Sequence, residues 1–205
     1  MAYIKIISPG EAQGKLADLY QLVRGPGGQV DQVLQIHSLR PHTLRGHMGL
    51  YKAVLHDTRN ELPGWYLECI GVLVSRINAC AYCDLHHSTG LRRLLQRSER
   101  PPGPVLEAID AILAGTSSPI FTQRERGGLD YAAKMTRSPG AIEVADVEQL
   151  RALGFRDGEV LEINQVTAYF AYANRTVTGL GVSSAGETLG LSPENDDRED
   201  DWSHA

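Results

Sequence analysis

The chain has 205 residues, of which 42% are hydrophobic and 22% are charged, and its formal net charge at pH 7 is −5. This length and composition are typical of one soluble globular domain with a full hydrophobic core, and they exclude a fibrous or wholly disordered chain. Because non-specific nucleic-acid binding needs a surplus of Lys and Arg to neutralise phosphates, the acidic balance argues against a nucleic-acid partner.

The sequence also lacks the features of a membrane or secreted protein. No run approaches the roughly 20 apolar residues that span a bilayer, and the apolar part of the N-terminus is too short for a signal peptide. The odd total of three cysteines, Cys69, Cys80 and Cys83, fits a reducing compartment better than a disulfide framework. We therefore expect a cytoplasmic protein with no membrane partner.

Signals for helix starts and ends recur along the chain, and alternating polar and apolar residues hardly occur after "YIKII". The pattern predicts an all-α fold, with Ser8, Asn78 and Asp157 as N-caps of the first, fifth and last helices. The predicted helices cover residues 11–23, 31–38, 41–55, 63–77, 78–96, 104–114, 122–135, 144–153 and 157–178.

These helices form a single predicted domain over residues 1–190. After "GLGV" the chain turns small and polar and ends as "SPENDDREDDWSHA". This composition predicts an acidic, disordered tail at 191–205, whose simplest role is to remain solvated.

The stretch "INACAYCDLHH" contains the residues most able to do chemistry. If Asn78 caps the fifth helix, Cys80 and Cys83 lie near its N-terminus, where free backbone N–H groups and the helix dipole lower a cysteine pKa. Cys83 and His87 are one helical turn apart on one face, whereas His86 points elsewhere. The pattern favours a reactive thiol with a histidine base and a second thiol close enough to form a disulfide.

Glu68 is a candidate third member of this group. It lies in the apolar run "WYLECIGVL", where a carboxylate needs a polar partner. A break between the fourth and fifth helices near Asn78 would let them pack together and bring Glu68 to His87. A carboxylate behind a histidine behind a nucleophile is a common catalytic arrangement.

Zinc binding, haem attachment and inert packing are the other interpretations of the cysteines. A structural zinc site needs four ligands, and no second pair of ligands follows; covalent haem requires His directly after the second Cys, where this chain has Asp84. We expect no metal and no other cofactor, although inert apolar packing of Cys80 and Cys83 remains open. Cys69 is expected in the core, and Tyr82 either lines the pocket or packs. The remaining histidines are expected at surface or packing positions: His37, His42, His47 and His56.

One combination of these residues resembles the AhpD-like superfamily, which contains alkylhydroperoxidase and carboxymuconolactone decarboxylase domains. The shared pattern is a Glu placed 12 residues before the first Cys, an S-x-x-N-x-C-x-x-C core, and a His placed four after the second Cys. The matching residues are Glu68, Ser75, Asn78, Cys80, Cys83 and His87. The segment "AYFAYANRTVTGLGV" is similar to the closing helix of the peroxidase-related branch.

The resemblance implies an all-helical bundle of about eight to nine helices that assembles into homo-trimers or homo-hexamers. It also implies reduction of a hydroperoxide by thiols, without metal or haem, and regeneration by an external dithiol. By position, Cys83 would be the peroxidatic thiol, Cys80 the resolving thiol, His87 the proton acceptor and Glu68 the end of the relay. Tyr82 departs from the best-known peroxidases, which have His there.

Some questions stay open at the level of sequence. The helix dipole favours Cys80 as the more acidic thiol, whereas the resemblance and the histidine one turn away favour Cys83. A decarboxylase of the carboxymuconolactone type is one alternative function, although the cysteine pair counts against it. A non-enzymatic thiol redox sensor is another.

Overall fold

The computed structural model describes residues 2–98, 100–193, 195–198 and 202. Within these residues the chain is helical and forms no sheet, which confirms the all-α prediction. Across the same residues, none of the helices combines the length and apolarity needed to cross a membrane. The helices are α1 (Lys15–Leu22), α2 (Gln32–Gln35), α3 (Pro41–Leu55), α4 (Gly64–Ile77), α5 (Ala81–Gln96), α6 (Pro102–Leu113), α7 (Gln123–Arg137), α8 (Val144–Ala152) and α9 (Asp157–Gly179).

Helix α4 lies at the centre of the fold. Its sequence, "GWYLECIGVLVSRI", is apolar around most of its circumference, and such a helix is stable only when it is covered on several sides. It packs against α5, α7 and α9, and ten of its consecutive residues, Tyr66 to Ser75, are buried. Every side chain that α4 contributes to a site is therefore held in a close-packed environment.

Two predicted helices are shorter than expected, and the predicted N-caps Ser8 and Asp157 are wrong. The first helix begins at Lys15 and its N-cap is Gly14, whose φ of 54° lies outside the helical region. Ser8 lies in the preceding turn, where its side chain hydrogen-bonds to that of Glu11. The second is regular only over α2, and turns follow it to residue 39. Asp157 is the first residue of α9 and Arg156 is its N-cap, with the Glu159 carboxylate accepting from the Arg156 backbone N–H.

The predicted disordered tail at 191–205 falls partly outside the described residues. Several of its described residues contact the helical domain. Trp202 is buried in an apolar cluster with residues of α1, α2 and α3. Asp196 pairs with Lys52 at 2.8 Å, and the Asn195 side-chain oxygen lies 2.8 Å from His56 Nδ1. The net acidity of the segment gives no indication of these contacts.

The closest approach between α4 and α9 depends on a glycine. A Cβ atom at Gly71 would lie 2.3 Å from Cζ of Phe170, a side chain that is fully buried. The Phe170 ring in turn stands edge-on to the ring of His87, with 4.6 Å between centroids. Gly71 therefore sets the position of an aromatic ring that supports a candidate catalytic residue.

We predict that Gly71→Ala lowers the free energy of unfolding by about 1–3 kcal/mol, because the added methyl group overpacks the core. Chemical denaturation measures the change. Gly46→Ala is the matched control: Gly46 is an exposed residue inside α3 with nothing within 4 Å of an added Cβ. It should leave stability unchanged or raise it by up to about 1 kcal/mol. Equal effects of the two substitutions would contradict the packing argument.

Candidate active site at the Cys80–Cys83 pair

The turn between α4 and α5 places both cysteines. Asn78 is the C-cap of α4, and Ala79 has a φ of 54°, in the left-handed region that ends a right-handed helix. The Cys80 backbone N–H then donates to the Ser75 carbonyl at 2.9 Å, and Cys80 is the N-cap of α5. The predicted break is confirmed. The prediction that Asn78 caps α5 is wrong, because Ala79 separates it from that helix.

Asn78 has a different role, in which Ser75 takes part. Its side-chain amide donates to Asn174 Oδ1 at 2.9 Å, and the Asn174 amide donates to the Ser75 hydroxyl at 3.1 Å. Ser75 and Asn174 are almost fully buried. This network ties the turn before Cys80 to α9, so Ser75 and Asn78, which were candidate pocket residues through their match to the family pattern, hold this turn in place.

The two thiols lie in contact. Their Sγ atoms are 2.8 Å apart, both cysteines are free, and their exposed fractions are 2% for Cys80 and 4% for Cys83. The hydrogen bond from the Cys83 thiol lowers the pKa of Cys80 from 9.0 to about 6, against the opposing effect of burial. The same bond and burial raise the pKa of Cys83. The pair can thus lose one proton easily and the second only with difficulty.

The predicted contact between Glu68 and His87 is confirmed. His87 Nδ1 lies 2.8 Å from Glu68 Oε2, and the Glu68 side chain is 5% exposed. A carboxylate that accepts from Nδ1–H leaves Nε2 as the acceptor nitrogen of a neutral imidazole. Although Cys83 and His87 both lie in α5, no hydrogen bond joins them within the described part of the chain.

Cys83, His87 and Glu68 line one internal cavity of about 70 Å³. The other walls of this cavity are mainly apolar and aromatic side chains of α2, α3 and α9. Cys80 does not line it. The Cys80 side instead borders a cleft at the outer surface, whose polar lining residues are Ser75, Arg76, Asp84 and Asp110. The two cysteines of the pair therefore border two different openings.

His86 belongs to a second group at the edge of the cavity. Its Nε2 lies 3.0 Å from Glu187 Oε2, and the other Glu187 oxygen accepts from the Gln32 backbone N–H. The His86 ring stacks on Tyr82 with 4.4 Å between centroids. Burial, together with the Glu187 charge, raises the pKa of Asp31 to about 6. His86 and Tyr82 both line the cavity, and no hydrogen bond joins His86 to either cysteine among the described residues.

The segment after Glu187 closes one side of the cavity. Residues 190–193 line it, and Arg93 Nη1 donates to the Gly190 carbonyl at 2.7 Å. Gly190 has a φ of 70°, and a Cβ atom there would lie 2.7 Å from the backbone nitrogen of Gly90. The segment thus lies directly on α5.

Several residues of the site were not identified from the sequence. His47, which was expected at a packing or surface position, lines the cavity, as do Tyr51 and Tyr169. The one sequence signal for Asn174 is the Asn-Arg pair in "AYFAYANRTVTGLGV", the segment that is similar to the closing helix of the peroxidase-related branch. Cys69 is fully buried, as expected, and burial raises its pKa well above the ordinary value. No group of three or more metal-binding side chains occurs among the described residues.

The chain is similar to several solved structures. No family model and no curated protein matches the sequence. Among solved structures, an uncharacterized peroxidase-related protein from Silicibacter sp. TM1040 is 31% identical, with a TM-score of 0.66 over 76% of this chain and 77% of that one. A second peroxidase-related protein with an alkylhydroperoxidase AhpD core, from Ralstonia eutropha JMP134, is 24% identical, with a TM-score of 0.73 over 89% and 91%.

The debrominase Bmp8 is also similar in fold, with a TM-score of 0.69, 18% identity, and coverage of 88% of this chain and 91% of that one. At this identity the likeness concerns the helical bundle alone. The relative from Silicibacter shares both sequence and fold over about three quarters of each chain. The chain therefore belongs to the AhpD-like superfamily of peroxidase-related proteins.

Proposed function

We propose that the protein reduces hydroperoxides with the Cys80–Cys83 dithiol. The observation that carries this proposal is the placement of Cys83: it lies 2.8 Å from a second free thiol and lines a cavity that the His87–Glu68 pair also lines. Peroxide reduction by thiols needs these elements, which are a nucleophilic sulfur, a resolving sulfur and a group that handles protons. The peroxidase-related names of the relatives agree with it.

The reaction has three steps. The Cys83 thiolate attacks the outer oxygen of the hydroperoxide and breaks the O–O bond, which gives a Cys83 sulfenic acid and an alcohol after protonation. The Cys80 sulfur then attacks the sulfenic sulfur and displaces water, so a Cys80–Cys83 disulfide forms. An external dithiol reduces this disulfide by thiol exchange, becomes a disulfide itself, and restores both thiols.

Because the pKa of Cys80 is lowered and that of Cys83 is raised, the proposed reaction requires a proton transfer within the pair. The resting negative charge favours Cys80, whereas the cavity reaches Cys83. Because the Sγ atoms are 2.8 Å apart, a shift of the Cys83 proton to the Cys80 sulfur moves the charge to the nucleophile. Cys80 thus acts first as the proton acceptor for Cys83 and then as the resolving thiol.

His87 and Glu68 supply the proton for the leaving alkoxide. Glu68 accepts a hydrogen bond from Nδ1 of His87 and fixes the ring beside the cavity, and the pair gives a proton to the alkoxide as the O–O bond breaks. Glu68 also borders a surface groove that residues 190–193 line as well. The carboxylate therefore connects the cavity with a path along which protons can be replaced.

The proposal includes two partners that follow from family resemblance. These are an external dithiol reductant and further copies of the chain in a homo-trimer or homo-hexamer. We also place the protein in the cytoplasm, where a pair of reduced cysteines can be regenerated.

Substitution of single cysteines tests the assigned roles. We expect Cys83→Ser to reduce peroxide consumption by more than about 10³-fold, because it removes the nucleophile. Cys80→Ser should react once, and more slowly because it also loses the proton acceptor for Cys83, and it should accumulate a Cys83 sulfenic acid that dimedone traps and mass spectrometry locates. Cys69→Ala, at a buried thiol outside the pair, is the control and should keep full activity. An unchanged rate in Cys83→Ser would exclude the proposed reaction.

Ultraviolet absorbance of the thiolate tests the coupling of the pair. In the wild type we expect thiolate to appear as pH rises, with a midpoint near 6, because the Cys83 thiol stabilises the charge on Cys80. In Cys83→Ala this donor is lost, and the midpoint of Cys80 should move upward toward 9.0. A midpoint that stays near 6 in the variant would show that the helix N-terminus, and not Cys83, lowers the pKa.

The proton donor is tested by the rate of disulfide formation. His87→Gln should slow it by about 100-fold, in line with loss of a general acid, and Glu68→Gln by about 10-fold. Glu159→Gln is the matched control, since Glu159 is also a buried carboxylate with cationic partners, Arg124 at 2.7 Å and Arg156 at 3.6 Å, and it does not line the cavity. Its rate should match that of the wild type. Equal slowing in Glu68→Gln and Glu159→Gln would refute a specific role for Glu68.

A further inference from the structure

A surface groove with a volume of about 340 Å³ follows one face of α5. Gly90, Arg93, Leu94 and Arg97 line it, and residues with these spacings lie on the same side of a helix. Residues 190–193, which also line the cavity, form a second side, and the end of α3 and the first turns of α4 contribute the rest. None of the three cysteines is among its described lining residues, so the groove is separate from the thiol pair.

Two arginines give the groove a positive end. Arg93 and Arg97 are both exposed and lie one helical turn apart. Arg93 Nη1 donates to the Gly190 carbonyl, whereas the Arg97 side chain makes no hydrogen bond or ion pair with the described part of the chain. The planar guanidinium group is suited to bind a carboxylate through two parallel hydrogen bonds. The pair therefore offers a place for one anionic group of a ligand.

The other end of the groove carries hydrogen-bond acceptors. Glu68 lines it, and one carboxylate oxygen of Glu68 is held by His87. His56 lines it too, and its Nδ1 donates to the Asn195 side-chain oxygen, since that oxygen can only accept. Burial lowers the pKa of His56, so the ring is neutral and Nε2 is a buried acceptor that has no partner among the described residues. Buried polar atoms are nearly always paired, so a ligand that donates hydrogen bonds suits this end.

Helix α5 sets the distance between the two ends. At about 1.5 Å per residue, Arg93 lies about 9 Å and Arg97 about 15 Å along the helix axis from His87, the residue that Glu68 contacts. Helical side chains point back toward the N-terminus of their helix, which brings both guanidinium groups closer to Glu68. A separation of roughly 10 Å is the length of three extended residues. A single α-amino acid, whose two charged groups share one carbon atom, cannot reach both ends.

The volume of the groove agrees with this length. A cavity of about 150 Å³ accepts benzene, which has about six non-hydrogen atoms. By the same ratio, the groove of about 340 Å³ holds about 14 such atoms. This is the size of a tripeptide with small side chains or none.

We propose that the groove is a binding site for a short zwitterionic peptide of about three residues. The α-ammonium group of the peptide donates to Glu68 and His56, and its carboxylate accepts from Arg93 and Arg97. The backbone between these groups contacts apolar side chains of the groove, which are Leu55, Leu94 and Leu191. Binding here needs neither thiol of the Cys80–Cys83 pair, so the site is additional to the proposed reaction.

Isothermal titration calorimetry of the reduced wild-type protein tests the ligand class. We expect triglycine to bind at least about 10-fold more tightly than N-acetyl-triglycine, which lacks the positive charge, and than triglycine amide, which lacks the negative charge. Each modified peptide loses one set of charge-assisted hydrogen bonds and keeps the same backbone. If triglycine does not bind, or if either modified peptide binds as tightly, the inference is wrong.

Arg97→Gln tests the partner of the carboxylate. It should weaken binding of triglycine by about 10-fold and leave binding of triglycine amide unchanged, because that peptide has no carboxylate to lose. Arg92→Gln is the matched control, since Arg92 is an exposed arginine of the same helix that does not line the groove. It should bind triglycine like the wild type. Equal affinities of the two variants for triglycine would refute the assignment of Arg97.

Glu68→Gln tests the partner of the ammonium group. It should weaken binding of triglycine by about 10-fold and leave binding of N-acetyl-triglycine unchanged. Circular dichroism checks that each variant is folded, and the comparison of peptides on the wild-type protein does not depend on any variant. Equal weakening for both peptides would show that Glu68 does not meet the ammonium group and would overturn the proposed orientation.

The two proposals fail independently of each other. If no hydroperoxide oxidises the cysteine pair, the proposed function is wrong, whereas selective binding of triglycine would still support the groove. If the three peptides bind alike or not at all, the groove is not a peptide site, and the proposed reaction of the cysteines is unaffected.

Discussion

The interruption between α4 and α5 is the constraint on which the site depends. One residue in the left-handed region, Ala79, ends the apolar central helix and starts the next one against it. Because the two helices pack together, Glu68 from one reaches His87 from the other, and Cys80 occupies the N-cap. A continuous helix of the same sequence would contain the same side chains, but Glu68 would not reach His87.

The buried groups of the site have pKa values shifted in opposite directions, and local hydrogen bonds decide the direction. It raises the pKa of Cys69 and of the cavity tyrosines, whose charged forms have no compensating donor. Cys80 is also buried, yet a donor 2.8 Å away more than offsets the loss of hydration. The main difference between an inert thiol and an acidic one in this protein is therefore the neighbouring S–H group of Cys83, to which the Cys83 backbone N–H adds.

Much of the fold and of the thiol cluster could be predicted from local sequence, because proline, apolar runs and residue spacing act within one or two helical turns. The spacing from Cys83 to His87 and the isolated carboxylate of Glu68 were of this kind. The role of Asn78 depended on the backbone angle of Ala79, which residue type does not determine. His47 and Tyr169 come together only through packing of α3 on α9, and spacing along the chain gives no sign of contacts over that separation.

The two openings of the cysteine pair bear on the order of events in a catalytic cycle. Cys83 lines the cavity and Cys80 borders the outer cleft, so electrons taken up at one side of the pair can be delivered at the other. Under the proposed reaction, oxidant and reductant approach by separate routes and do not compete for the same space. A high concentration of the oxidant would then not block the reductant, nor the reverse. The disulfide would lie between the cavity that the oxidant enters and the cleft that the reductant enters.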